Sequence, residues 1–268
     1  MNIDTFAVIG GDLRFAYLAG LLAADGYKVI TSGFDSTDLP PCVTGCTNPA
    51  QAVSLADFVI LPVPVSTDGT TINAPFSRIR ISVDQVLNAV KPGQMLVGGA
   101  ITEEVREEVE KRGFKILDYL HRDELAIFNA VPTAEGAIQL AMEELPITIS
   151  GASCLITGYG RIGRILSRLL ISLGAHVTVA ARKYSDLAWA ESMGCRPIEL
   201  IHLADSGDFD VIFNTIPFPI FNHEVLSRLD KNTLQIDLAS RPGGVDFNAA
   251  AELQIKTIWA LSLPDNNT

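Results

Sequence analysis

The sequence predicts an α/β protein made of two doubly wound parallel-sheet domains with a cleft between them. Three observations carry that expectation. Short apolar runs alternate with stretches of helical apolar spacing along the chain. A glycine turn follows the first apolar run of each half, at Gly10-Gly11 and again at Gly158-Tyr159-Gly160. At 268 residues, 48% of them hydrophobic, the chain is longer than one ordinary domain and has material for two cores. The expected division is residues 1–130, a linker helix over 131–150, and residues 151–268.

In the first half, Phe6-Ala7-Val8-Ile9 is an apolar strand entering Gly10-Gly11-Asp12, and 13–24 follows as a helix with Leu18, Leu21 and Leu22 on one side. Further strands are expected at 27–31, 58–61, 95–97 and 115–117, with a charged helix over 102–112. The turn lacks a third glycine, since Phe15 or Ala16 stands there, and Asp12 would repel a pyrophosphate. This half is therefore expected to hold substrate or to meet the other domain, not to bind a dinucleotide. Asp12 suits a helix N-cap, and Arg14 is a candidate anion ligand.

The junction reads as a turn and a helix, with Pro132 suited to the first helical turn and Glu143-Glu144-Leu145-Pro146 ending it. Thr133 and Glu135 would face the cleft, or serve the helix start as cap and dipole complement.

The second half holds the strongest motif. Cys154-Leu155-Ile156-Thr157 is an apolar strand, Gly158-Tyr159-Gly160-Arg161-Ile162-Gly163 is G-x-G-x-x-G, and a helix follows. Gly158 permits the tight turn, Gly160 lets backbone approach a pyrophosphate, and Gly163 lets helix and strand pack closely. The helix start offers N–H groups and a positive dipole end to the phosphates. The next strand, 176–183, ends in Arg182-Lys183 where an NAD site usually has an acid. No carboxylate is expected near this turn, so Arg182 and Lys183 would accept a 2′-phosphate, and NADP is preferred over NAD. Val211-Ile212-Phe213 is a buried strand whose end, Asn214-Thr215-Ile216-Pro217, is expected beside the nicotinamide ribose. Strands at 234–239 and 257–261 complete the sheet.

The net charge of −11 argues against nucleic acid and anionic membranes as partners. No apolar run approaches the roughly 18 residues of a membrane span. Met1-Asn2-Ile3-Asp4 carries no basic leader, so a cytoplasmic protein with reduced thiols at Cys42, Cys46, Cys154 and Cys195 is expected. Cys154 suits a small apolar filler in a central strand. The His and Cys residues lack ligand spacing, and no metal is expected.

Taken together, several segments resemble the A subunits of dipicolinate synthase. They are Ile9-Gly10-Gly11-Asp12-Leu13-Arg14, Leu61-Pro62-Val63-Pro64, Asn129 to Ala137, the Thr157–Gly163 fingerprint, Ala181-Arg182, Asp186 to Ala190, Asn214 to Pro217, Asp237 to Asp246, and Trp259 to Pro264. The resemblance covers nearly the whole chain. It implies a sporulation oxidoreductase on a branch of lysine biosynthesis, in which a dihydro- or hydroxytetrahydro-dipicolinate loses hydride to NADP and the ring becomes aromatic. It also implies a partner, the flavoprotein-like B subunit of such enzymes. The two-domain layout is similar to that of 2-hydroxy-acid and alanine dehydrogenases, in which a last helix crosses back to the first domain. Here the sequence reads only to Thr268, and that helix is not expected.

Such chemistry needs cations for two carboxylates and a base for a ring proton. Arg14, Arg161 and Arg241 are the candidate cations, with Thr133 as a further substrate contact; Arg241 precedes Pro242-Gly243-Gly244, where backbone can come close to a ligand. His121, Asp12 and Glu135 are the candidate bases. Two other readings fit the same residues: a non-catalytic NADP-binding protein that positions a flavoprotein partner, and an NADP-dependent dehydrogenase of 2-hydroxy-acid or shikimate type. A homodimer is compatible with all three.

Overall fold

The computed structural model describes residues 4–260, which fall into two compact units, Met1–Asp123 and Glu124–Thr268. Leu261 and the Ser262-Leu263-Pro264 segment lie outside the described residues.

The first unit runs β1 (Thr5–Ile9), α1 (Leu13–Ala24), β2 (Lys28–Ser32), β3 (Thr44–Gly45), α2 (Pro49–Leu55), β4 (Phe58–Ile60), α3 (Val83–Leu87), β5 (Met95–Gly98), α4 (Glu103–Lys111) and β6 (Ile116–Asp118). Its six strands are all parallel in the order β3-β2-β1-β4-β5-β6, with the switch point between β1 and β4. Alternation along β1 explains the two covered faces. Val8 packs with Phe15, Ala16 and Ala19 of α1, while Ala7 and Ile9 pack with Ala52 and Val53 of α2 and Val86 of α3. Asp12 caps α1 by accepting from the Arg14 N–H at 3.0 Å, as the sequence suggested.

The second unit runs α5 (Asp123–Glu144), β7 (Ser153–Thr157), α6 (Arg161–Ser172), β8 (His176–Ala181), α7 (Tyr184–Ser192), β9 (Arg196–Glu199), β10 (Val211–Asn214), α8 (His223–Leu226), β11 (Leu234–Asp237), α9 (Phe247–Glu252) and β12 (Thr257–Trp259). Its parallel order, β12-β11-β10-β7-β8-β9, matches that of the first unit in pattern. Ala134, Ala137, Ile138 and Ala141 of α5 pack on one face with Leu166 and Leu170 of α6 and Phe213 of β10. Leu155, Ala180 and Ile212 cover the other face with Phe209, Phe221 and Leu226. Cys154 is fully buried in β7, and burial pushes its thiol up to about 12, so it is a filler and not a reactive thiol.

Two elements differ from the sequence expectation. The helix expected to start near Pro132 begins at Asp123, and Pro132 sits inside it. An interior proline costs about 3 kcal/mol of helix stability. The buried small-residue face of α5, including Ala130, Ala134, Gly136 and Ala137, supplies tertiary packing that outweighs this cost. The third strand of the second unit, Arg196–Glu199, has no apolar run and contains Pro197. Among the described residues it pairs with β8 alone, at the sheet edge, where a proline is tolerated. Among the described residues, no helix is long and apolar enough to cross a membrane.

One strand residue carries a stability prediction. Gln235 of β11 is fully buried in register with Ile212, and neither amide atom finds a hydrogen-bond partner among the described residues. Leaving such a group unpaired costs about 1–3 kcal/mol. Replacing Gln235 with Met, which is similar in shape, is expected to raise the unfolding free energy by about 1–2 kcal/mol in a urea titration. A loss of stability would mean that the amide is engaged.

Candidate nucleotide-binding site

The fingerprint forms a tight turn between β7 and α6. Gly158 has φ +89°, and its N–H donates to the Ala180 carbonyl at 2.8 Å. A Cβ on Gly158 would lie 2.5 Å from Thr215 Oγ1, and one on Gly163 would lie 2.3 Å from the Gly158 carbonyl oxygen. Gly160 differs, because nothing lies within 4 Å of where its Cβ would stand. It is also the N-cap of α6, and no side chain caps that helix. The uncapped end of a twelve-residue helix thus faces open space at the residue where a phosphate group would approach. The residues present fit a dinucleotide pyrophosphate.

The side chains around the turn have distinct jobs. Tyr159 is buried, and Ile162 packs against the same core, so both side chains shape the turn. Arg161 opens α6. Arg164, absent from the sequence expectation as a site residue, donates from Nε to the Tyr159 carbonyl at 3.1 Å and lies 5.4 Å above the Tyr159 ring centre. Thr215 and Ile216 lie against Gly158, with Thr215 Oγ1 donating to the Thr157 carbonyl at 2.8 Å, and Pro217 is exposed just beyond them.

Arg182 and Lys183 occupy the turn after β8, both exposed, with no side-chain ion pair or hydrogen bond among the described residues. The expectation that no carboxylate stands near them is corrected. Asp186 lies in the first turn of α7, and Glu199 stands on β9 in register with Ala181. Each acid has its own partner. Arg164 Nη2 reaches Asp186 Oδ1 at 3.3 Å, and the Tyr184 hydroxyl donates to Glu199 Oε2 at 3.4 Å. The sequence concealed Glu199 because its strand has no apolar signature.

Asn214 also departs from its expected role as a ribose contact. It is fully buried, and its amide is saturated within the protein. Its oxygen accepts from Thr157 Oγ1 at 2.6 Å and from the Ile216 N–H at 3.1 Å. Its nitrogen donates to the Ile216 carbonyl at 3.0 Å and to Asp237 Oδ1 at 2.7 Å. Asp237, also fully buried, accepts in addition from the N–H groups of Ala239 at 3.1 Å and Gly244 at 2.8 Å. Asn214 therefore braces the Thr215–Pro217 segment from beneath. Asp237 was legible only as part of the Asp237-Leu238-Ala239-Ser240-Arg241-Pro242-Gly243-Gly244 segment, because its pairing joins strands distant in sequence. Arg241 is exposed, with its guanidinium 5.9 Å from the Trp259 ring centre.

In the first unit the corresponding turn is covered by the chain itself. The Gly11 N–H donates to the Asn73 carbonyl at 2.9 Å, and a Cβ on Gly10 would lie 2.9 Å from that same oxygen. Asp12 accepts from Arg14 Nε at 3.0 Å and Nη2 at 2.7 Å. Burial alone would raise the Asp12 carboxyl, but the Arg14 hydrogen bonds and charge outweigh it and hold it below the usual carboxylate range. That weakens Asp12 as a base and engages Arg14, correcting both expected roles. Tyr119 follows β6, its hydroxyl donating to the Leu61 carbonyl at 3.3 Å, and burial pushes that hydroxyl well above its ordinary value.

The remaining candidates lie in both units. His121 is exposed on the short turn Tyr119–His121. Thr133 is engaged within α5, its hydroxyl donating to the Asn129 carbonyl at 2.8 Å. Glu135 lines a groove with Gln139 and Met142 of α5 and with Leu169, Ser172 and Leu173, at the end of α6 away from the glycine turn. Asp12 and His121 thus belong to the first unit and Glu135 to the second.

A sequence model of the N-terminal domain of the dipicolinate synthase A subunit matches residues 5–120. The dipicolinate synthase A subunit of Bacillus subtilis (strain 168) is 34% identical over 263 residues, covering 96% of this chain and 88% of that protein. The crystal structure of the dipicolinate synthase A chain from Bacillus subtilis superposes with a TM-score of 0.90 at 32% identity, covering 98% of this chain and 90% of that one. A transhydrogenase from Sinorhizobium meliloti shares the fold, with a TM-score of 0.61 at 15% identity over 90% of this chain and 80% of that one. The chain, with its two parallel six-stranded α/β units, belongs to the family of dipicolinate synthase A subunits.

Proposed function

We propose that this chain is the NADP-binding, hydride-transferring component of a dipicolinate synthase, acting on a dihydrodipicolinate-type precursor alongside a second subunit. The single observation that carries the reading is the pairing of an open, uncapped glycine turn with a second turn whose Arg182 and Lys183 have no ion pair among the described residues. Backbone at Gly160 to Gly163 would seat the pyrophosphate, and Arg182 with Lys183 would hold the 2′-phosphate. Thr215 to Pro217, braced by Asn214 and Asp237, would flank the nicotinamide end. When bound, the cofactor supplies an acceptor for the hydride leaving the ring.

The other product of aromatisation is a ring proton. Of the three candidate bases, His121 is favoured. Asp12 is tied to Arg14, and Glu135 stands at the far end of α6. Arg241 supplies an exposed guanidinium beside a backbone turn for a substrate carboxylate.

The cofactor assignment is tested by calorimetric titration of NADP and NAD. Replacing Arg182 and Lys183 together with Gln is expected to weaken NADP by about 10- to 100-fold, as loss of charge-assisted hydrogen bonds worth about 1.5–3 kcal/mol requires, and to leave NAD unchanged. Equal loss for both would remove these residues from the phosphate site. In steady-state kinetics, His121→Gln should lower kcat by about 10²–10⁴-fold with NADP affinity intact, as loss of a general base does. Arg241→Ala should instead raise the substrate KM.

The reaction is tested by mixing the chain with its partner protein, NADP and a cyclic lysine-pathway precursor, and following pyridinedicarboxylate absorbance. Product formation that needs the fingerprint glycines intact supports hydride transfer here. NADP binding without any dependence of product formation on this chain's cofactor would favour the non-catalytic reading.

A further inference from the structure

We infer that Arg164 sets the preference of this site for a phosphorylated adenosine by holding Asp186 away from Arg182. The inference rests on the NADP reading proposed above, and it names a residue that never touches the phosphate. Arg164 is a positioning residue, acting on Arg182 through Asp186.

The turn after β8 has a built-in conflict. Arg182 and Lys183 carry the positive charge, but Asp186 follows in the first turn of α7, and Glu199 stands on the neighbouring strand in register with Ala181. A carboxylate in that position can capture Arg182, and it also repels a phosphate group. Either effect would lower affinity for a 2′-phosphate. The structure resolves the conflict by giving each acid another partner. Arg164 reaches from α6 to Asp186 at 3.3 Å, and Tyr184 donates to Glu199 at 3.4 Å. Arg182 and Lys183 are left without an ion pair among the described residues.

Arg164 is suited to this role because it is anchored at two further points. Its Nε donates to the Tyr159 carbonyl at 3.1 Å, and its guanidinium lies 5.4 Å from the centre of the Tyr159 ring. Tyr159 is 5% exposed and packed into the core, so the anchor is rigid. The pair adds little to stability. The Arg164 side chain is 53% exposed and that of Asp186 24%, and such surface pairs are worth only about 0–1 kcal/mol. Variants at these positions are therefore expected to fold, and selectivity is where the pair is read.

A bracing role would make a different prediction. If the pair merely tied α6 to α7, removing either partner would have the same effect. If Arg164 sequesters Asp186, removing Asp186 makes Arg164 dispensable.

The test measures Kd for NADP and for NAD by calorimetry at one low ionic strength. Four proteins are compared: wild type, Arg164→Met, Asp186→Asn, and the double variant. We expect Arg164→Met to weaken NADP by about tenfold and NAD by less than about twofold, a selectivity change of about 1 kcal/mol in RT ln K terms. Asp186→Asn should bind NADP as tightly as wild type or more tightly. The double variant should return to within about twofold of wild type for NADP. Loss of NADP affinity in Asp186→Asn equal to that in Arg164→Met would overturn the inference in favour of a brace. A double variant as weak as Arg164→Met would overturn it too, as would an unchanged Arg164→Met. Wild-type protein that binds NAD as tightly as NADP would instead overturn the cofactor reading, and the inference with it, before any variant is compared.

Discussion

The close approach of α6 to the end of β7 governs the second unit. With no side chain at Gly163, the helix comes so near the Gly158 carbonyl that a single added carbon would overlap it. That contact aims the start of α6 at the open space beside Gly160. It also turns Tyr159 into the core and brings Arg164, one residue beyond Gly163, above the Tyr159 ring. A larger residue at Gly163 would tilt the helix and disturb all of these at once, because close-packed interiors transmit displacement and do not absorb it. Site geometry and core packing are therefore one constraint here.

Buried polar groups show the same economy at β10 and β11. Thr157, Asn214 and Asp237 are all fully buried, and together with the N–H groups of Ile216, Ala239 and Gly244 they form a connected hydrogen-bonded set. Every polar atom of the Asn214 amide is used, which suits a group held in a low-dielectric interior. Gln235 is the contrast. It lies two residues before Asp237 on the same strand, yet among the described residues its amide has no partner. The network belongs to the strand ends, where loops return to meet it. Gln235 lies within the strand, where backbone groups already pair with their neighbours.

The two units share a topology and use it differently. In the second, the glycine turn is open at Gly160. In the first, the segment after β4 folds back so that the Asn73 carbonyl takes the Gly11 N–H, and Asp12 and Arg14 pair with each other. A group that would meet a phosphate in one unit meets the protein's own backbone in the other. The missing third glycine and the acid at the turn pointed to this divergence. The part played by Asn73 did not show, since a carbonyl oxygen carries no side-chain signature.

The amino-acid order alone was enough for features that depend on local chemistry. Apolar runs of β1, β7, β10 and β11, glycines at the turns, Asp12 as a helix cap and the basic pair Arg182-Lys183 all stand out within a window of a few residues. Long-range proximity was needed for the rest. Pro132 resembles a helix start until the buried alanines of α5 are packed against a core. Asn214 looks like a ligand contact until Thr157 and Asp237 close around it. Glu199 is silent until β9 pairs with β8, and Arg164 meets Asp186 only once α6 and α7 are in place. Pairing and burial join residues tens of positions apart, and no local pattern records which partners will meet.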